Sequence, residues 1–146
     1  MKFELFIKPH EEEFVQAQVH QKSSFTDQLA EFVASDGQPD SLIVYDDTDL
    51  LQLPFDEITI ITIISGKTYA INNQRKKFIV RKRLYQLAAS VPANFWQINK
   101  SAIANRKQIA RFTTDKEAGV NVIFQNGLSD YVSRRCFSKI RKELES

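Results

Sequence analysis

Phe95-Trp96-Gln97-Ile98-Asn99-Lys100-Ser101-Ala102-Ile103-Ala104-Asn105-Arg106-Lys107-Gln108-Ile109 is the stretch on which the fold turns. Aromatic and β-branched residues open it, so residues 95–98 read as a strand. Asn99-Lys100-Ser101 follows as a polar loop. Lys100 and the pair Arg106-Lys107 then set cations around that loop. At Ile109 the β pattern resumes.

The same alternation extends in both directions. Upstream, Leu42-Ile43-Val44-Tyr45 reads as a strand and Asp46-Asp47 as a turn. Residues 58–64 are β-branched throughout, which favours a buried strand. Ser65-Gly66-Lys67 is a loop, Tyr69-Ala70-Ile71 a strand, and Asn72-Asn73 the turn of a hairpin that returns through residues 77–80. Residues 81–90 read as a helix with Leu84, Leu87 and Ala88 inward, stopped by Pro92. Downstream, residues 109–113 and 121–124 pair about a turn at 116–119, and Asn126-Gly127 is a second hairpin signal. Tyr131-Val132 ends the sheet, and residues 134–143 form a terminal helix. The expected fold is therefore mainly β with short edge helices.

The first forty residues differ. Phe3, Leu5 and Ile7 alternate with Lys2, Glu4 and Lys8, which predicts a short strand. Residues 10–21 predict a helix with Phe14, Val15 and Val19 on one stripe. Ser24-x-x-Asp27 resembles a capping box that opens a second helix, with Leu29, Phe32 and Val33 inward. Asp36-Gly37-Gln38-Pro39-Asp40 is the strongest punctuation in the chain and marks a module boundary. A small βα, largely helical module at 1–38 precedes a domain at 41–146. So short a module buries too little to stand alone, so it should dock on the rest or on a second copy.

Charge follows the same division. Residues 1–55 hold three lysines against eleven acids, a net of −8. Residues 56–146 hold seventeen Lys or Arg against seven acids, a net of +10, so the overall +2 hides a basic block. Such a block is the electrostatic footprint of a protein that neutralises phosphates. The acidic block suits a pairing or regulatory role. With one cysteine, Cys136, no internal disulfide forms, and no apolar run approaches the ~20 residues of a membrane span. A cytoplasmic setting is expected.

Catalysis finds little support. His10 and His20 lie ten residues apart, a spacing that fits no metal motif and no helical face. Asp46-Asp47-x-Asp49 lacks the glycine and distal glutamate of a calcium loop. The four glycines stand singly in turns, so no phosphate-cradling loop exists. Neither enzyme, cofactor nor small-molecule substrate is expected. The positive signal is basic: Arg75-Lys76-Lys77 and Arg81-Lys82-Arg83 flank one strand, Lys100 and Arg106-Lys107 surround a second loop, and Arg134-Arg135, Lys139 and Arg141-Lys142 crowd the last helix. If those ends share one edge, they form a stripe that tracks a duplex backbone.

The stretch 95–109 also resembles the core motif of LytTR-type DNA-binding domains. Tyr131-Val132-Ser133-Arg134-Arg135-Cys136-Phe137-Ser138-Lys139-Ile140 is similar to the second hallmark of that family, and residues 78–87 to the strand-to-helix segment between. All three occur in the family's order, and the likeness covers residues 41–145. Gln97 stands where the family often has Arg.

The resemblance implies a LytTR-like β domain without a recognition helix, whose loops and one helix start enter successive major grooves of double-stranded DNA. Base-reading positions correspond to Lys67, Lys100 and Arg135, with Thr68 or Tyr69 as alternatives to Lys67. Lys and Arg are donors suited to guanine O6 and N7. Tyr69, Asn99, Ser101, Ser133, Arg134 and Lys139 suit phosphate oxygens. The chain resembles short, stand-alone members of the family that lack a receiver domain. Their implied partners are DNA, a second copy in a homodimer, and a small membrane protein that restrains them, with the acidic module as the point of contact. A competing reading is an RNA- or single-strand-binding β module, which would need Tyr69, Phe78, Phe95 and Trp96 exposed for stacking. A protein-interaction module is the third.

Overall fold

The structure is a computed structural model, and it describes residues 1–34, 40–117 and 119–146. The chain divides into two compact units, Met1–Gly37 and Gln38–Ser146. Most of the punctuation at residues 36–40 lies outside the described residues.

Among the described residues of the first unit one element forms, helix α1 (Ser24–Ala34). The strand expected at 3–7 and the helix expected at 10–21 do not form. Alternation makes a strand only where another strand accepts its hydrogen bonds, and none pairs here among the described residues. A twelve-residue helix with no packed face is likewise marginal in water, where isolated helices need about 12–15 residues. The cap sits one residue earlier than expected. Ser23 N–H donates to Thr26 Oγ1 at 2.9 Å and Thr26 N–H to Ser23 Oγ at 3.5 Å, so the box is Ser23-x-x-Thr26. Asp27 instead pairs with Lys22 at 3.8 Å. No residue of α1 is buried; Phe32 and Val33, expected inward, are exposed.

The second unit holds two antiparallel sheets. The larger has the order β2-β1-β5-β4-β3-β7-β6, from β1 (Ser41–Asp46), β2 (Asp49–Pro54), β3 (Ile58–Ile64), β4 (Lys67–Asn72), β5 (Lys77–Val80), β6 (Phe95–Asn99) and β7 (Ala102–Asn105). The smaller is β10-β9-β8, from β8 (Ile109–Asp115), β9 (Gly119–Phe124) and β10 (Ser129–Val132). Helix α2 (Leu84–Ala88) links β5 to β6, and α3 (Arg134–Glu145) ends the chain. The mainly β fold with short edge helices is as the sequence predicts, though α2 is shorter than the expected 81–90 and β2 and β7 are additional strands.

Two apolar clusters flank the larger sheet. Ala70 and Ile71, neighbours on β4, face opposite sides, as the two-residue period of a strand requires. On Ala70's side, α2 packs Leu84 and Leu87 against Ile58, Ile61, Phe78 and Ile103. The sheet also curls there: Phe55, just past β2, meets Phe95 of β6 edge-on at 5.5 Å although those strands are opposite edges. On Ile71's side, the smaller sheet and α3 cover Trp96 and Ile98 with Val122, Phe124, Val132 and Ile140.

Because neighbouring strands are antiparallel, the junctions sort into two rims. One rim carries the β3–β4 turn, the β6–β7 turn, the end of β5 and the β10–α3 junction. The other carries the β4–β5 turn, the 3-10 turns at Phe55–Glu57 and Arg106–Gln108, and the β9–β10 turn.

Candidate nucleic-acid interface

The first rim is joined by a continuous run of hydrogen bonds. Ser65 and Gly66 form a two-residue turn with φ of 51° and 80°, the left-handed pair that matches strand twist in a tight hairpin, and Lys67 follows as the first residue of β4. Ile63 N–H, one residue before the end of β3, donates to the Ser101 carbonyl at 2.9 Å, which ties this turn to the β6–β7 turn. Within that second turn Ser101 N–H donates to Asn99 Oδ1 at 2.8 Å, an Asx-turn that presents Lys100 at its tip. The same asparagine donates through Nδ2 to the Tyr131 carbonyl at 2.8 Å, and Ser133 N–H donates to the Ile98 carbonyl at 2.8 Å. These two bonds fix the start of α3 beside β6. Ser133 Oγ then caps the helix by accepting from Cys136 N–H at 3.2 Å.

Lys67, Lys100 and Arg135, together with Arg134, are thus carried by three junctions that adjoin along one rim, and all four are exposed. Among the described residues, none has a carboxylate partner within ion-pair distance. Lys139 is exposed one turn further along α3. Ser101, Ser133 and Tyr69 are half-buried.

Asn99 departs from its expected role as a phosphate ligand. It is only 1% exposed, and both ends of its amide are engaged within the protein. It positions two junctions rather than reaching outward. A further departure concerns the basic clusters. Lys100 and Arg106-Lys107, expected around one loop, stand at opposite ends of β7. Arg75 and Lys76 also lie on the second rim, held with Arg106 and Lys107 by a different network. There Asn73 N–H donates to the Glu57 carbonyl, Gln108 Nε2 to the Asp56 carbonyl and Gln125 N–H to the Gln108 carbonyl, each at 2.8 Å. Buried Thr59 bonds both Gln108 and Asn126. Lys76 pairs with Asp46 at 2.7 Å, Lys107 with Asp56 at 3.7 Å, and Arg106 lies over the Trp96 ring at 5.0 Å.

Conversely, Arg81-Lys82-Arg83 lies on the first rim. Thr68 is in register with Val80, so this run begins beside Lys67. Its position could have been read only from the pairing of β4 with β5.

The four aromatics on which the single-strand reading depends do not form a stacking platform. Phe78, Phe95 and Trp96 are buried, and the Trp96 indole N–H donates to Glu143 Oε2 at 2.8 Å. Tyr69 alone of the four is half-exposed.

Comparison with known proteins gives a consistent answer. Residues 48–145 match the family model of the LytTr DNA-binding domain. Proteins of Staphylococcus aureus strains MRSA252 and N315, each named an uncharacterised HTH-type transcriptional regulator, are 23% identical over 145 residues, covering 99% of this chain and 98% of theirs. A solved LytTr DNA-binding domain from a Bacillus cereus response regulator superposes with a TM-score of 0.67 at 19% identity, covering 74% of this chain and 99% of that one. The likeness in structure is one of fold.

Proposed function

The chain belongs to the LytTr DNA-binding domain family, and on that premise we propose that it regulates transcription by binding duplex DNA, sequence-specifically, through the first rim. The observation that carries this reading is the hydrogen-bonded run from Ile63 to Ser133, which joins three cation-bearing junctions far apart in sequence. Lys67, Lys100 and Arg135 are proposed to meet base edges, since each is an exposed donor with no carboxylate partner among the described residues. Tyr69, Ser101, Ser133, Arg134 and Lys139 are proposed to meet phosphates, which set register without reading sequence. The label HTH-type carried by the Staphylococcus aureus relatives does not describe this arrangement, because a five-residue α2 separated by strands from its neighbours forms no helix-turn-helix.

Salt titration of binding, read by fluorescence anisotropy on a duplex selected from a random pool, tests the proposal. Six or more phosphate contacts give a log–log slope of about −5 or steeper. A flat response overturns it.

The first unit supports a second element of the proposal, a homodimer. Phe3, Phe6, Phe14 and Phe25 are each exposed, an apolar display that a monomer in water leaves uncovered at a cost. Pairing through these side chains would seat two rims on paired sites. A small membrane protein could use the same surface. Sedimentation of residues 40–146 against the full chain decides: a halved oligomeric mass on truncation supports pairing through this unit, and an unchanged state refutes it.

A further inference from the structure

Beside Lys67, an open depression of about 370 Å³ is lined by Lys67, Thr68, Arg81, Lys82 and Arg83. Four cations surround it, and among the described residues none of them has a carboxylate within ion-pair distance. We propose that Arg81, Lys82 and Arg83 form an additional phosphate clamp, which grips the same duplex beyond the base pairs that Lys67 faces. The proposal rests on the DNA-binding reading above and extends its interface to a junction at the far side of the sheet from α3.

Three features of this junction suit it to that task. First, it is continuous with the interface: the register of Thr68 with Val80 sets Arg81 next to Lys67 on the first rim. With strands about 4.8 Å apart, the four intervals from β5 to β6 span about 19 Å, or about five to six base pairs at 3.4 Å each. Adding this junction lengthens the cationic track on the side remote from Arg135. Second, Arg81 is already ordered. Its guanidinium stacks on the Tyr45 ring, with Cζ 3.8 Å from the centroid. A stacked guanidinium keeps its edge N–H donors available, so little freedom is lost on meeting a phosphate. Third, the entry to α2 does not use the charged ends of Lys82 and Arg83. The Gln86 carboxamide oxygen accepts from the Arg83 backbone N–H at 3.0 Å and the Arg83 carbonyl accepts from Gln86 N–H at 3.0 Å, so Arg83 takes part through its main chain. Cations with no internal counter-ion are what a polyanion partner uses.

The test is a flank-length experiment with the full chain. A core duplex selected by the unaltered protein is made with and without six extra base pairs on each side. Lys82→Gln/Arg83→Gln, which leaves the Arg81 stack intact, is compared with the triple change that adds Arg81→Gln. The expected result is a salt slope shallower by about 2 for the double and about 3 for the triple, at about 0.9 per phosphate. Trimming one flank should weaken the unaltered protein about tenfold or more and leave the triple variant nearly unaffected, with base preference unchanged. An unaltered slope, with the same flank response in all three proteins, overturns the clamp alone if Arg135→Ala still relaxes base preference. A chain that binds no duplex at all overturns the parent reading and the clamp with it.

Discussion

At one end of the seven-stranded sheet, Lys76 lies 2.7 Å from Asp46 and Lys107 3.7 Å from Asp56. At the other end, Lys67, Lys100, Arg134 and Arg135 face outward with no such partner among the described residues. Both ends are rich in cations, and both are knitted by side-chain amides: Gln108 and Asn126 at the first, Asn99 at the second. The difference lies in where the acids fall. Turns at the first end contribute Asp46, Asp56 and Glu57, so acids stand among its cations and two of them, Lys76 and Lys107, are paired. The β3–β4, β6–β7 and β10–α3 junctions at the second end contribute cations alone, although Asp40 precedes β1 at that end and the tip of the β8–β9 hairpin, with Asp115 and Glu117, reaches the same level through the pairing of Val120 with Val132. A field strong enough to steer a duplex arises only where charge of one sign is left over. Total counts of Lys and Arg do not locate it.

The largest effect that can break this comparison is at Asn99. Changing it to Ala leaves the Tyr131 carbonyl and the Ser101 N–H without their partners at a buried site. Each such orphan costs about 1–3 kcal/mol, so a total loss of about 2–6 kcal/mol in stability is expected from urea denaturation. Specific DNA binding should fall beyond what stability explains, because the α3 junction loses its tie to the Lys100 turn. Gln97, two residues away on the same strand, is exposed and donates through Nε2 only to the Asn99 carbonyl at 3.2 Å; as the comparison, Gln97→Ala should cost no more than about 1 kcal/mol. Equal effects at the two positions would show that Asn99 does not couple the junctions.

Next in size is Arg135→Ala. On the selected duplex it should cost about 1–3 kcal/mol and relax one base preference in a competition series. Uniform weakening on all sequences would instead make Arg135 a phosphate contact. Smaller again are Lys67→Gln and Lys100→Gln. Each should relax the preference at one base pair and weaken selected duplex up to about tenfold. If either leaves binding unchanged, the interface does not extend to that turn.

How far the sequence reaches can be judged against these two ends. Strands β3, β4, β5 and β6 are legible because their β-branched and aromatic residues are bounded by turn residues. The hallmark stretches at 95–109 and 131–140 carry the fold and the family. β2 is not legible: Leu50 and Leu51 are exposed on an edge strand with only Leu53 buried, so no alternation shows. β7 is short and alanine-rich, with low β-propensity, and is made a strand by β3 and β6 on either side. At the amino terminus the reverse holds, for clear alternation at residues 3–7 finds no strand to pair with. The candidate site is legible as residue types but not as a surface. Lys100 and Arg106 are six residues apart in sequence, and β7, running the depth of the sheet between them, sends them to opposite rims. Arg81, by contrast, is fourteen residues from Lys67 and beside it in space. Only the antiparallel order of the strands separates these cases.

The smallest predicted effect is therefore the most discriminating. Lys107 is as basic as Lys100 and lies in the same motif stretch, but it is on the other rim, 3.7 Å from Asp56, with both side chains largely exposed. Exposed pairs of this kind contribute about 0–1 kcal/mol to stability, so Lys107→Gln should change the unfolding free energy by no more than about 0.5 kcal/mol. Its affinity for selected duplex should match that of the unaltered protein, whereas Lys100→Gln loses up to about tenfold. Long-range attraction also falls off over a Debye length of about 8 Å at physiological salt, so a cation at the far end of β7 adds little to the field at the near end. Should Lys107→Gln weaken binding as much as Lys100→Gln does, the duplex must wrap past the sheet to its second rim, and the division between a neutralised end and a binding end fails.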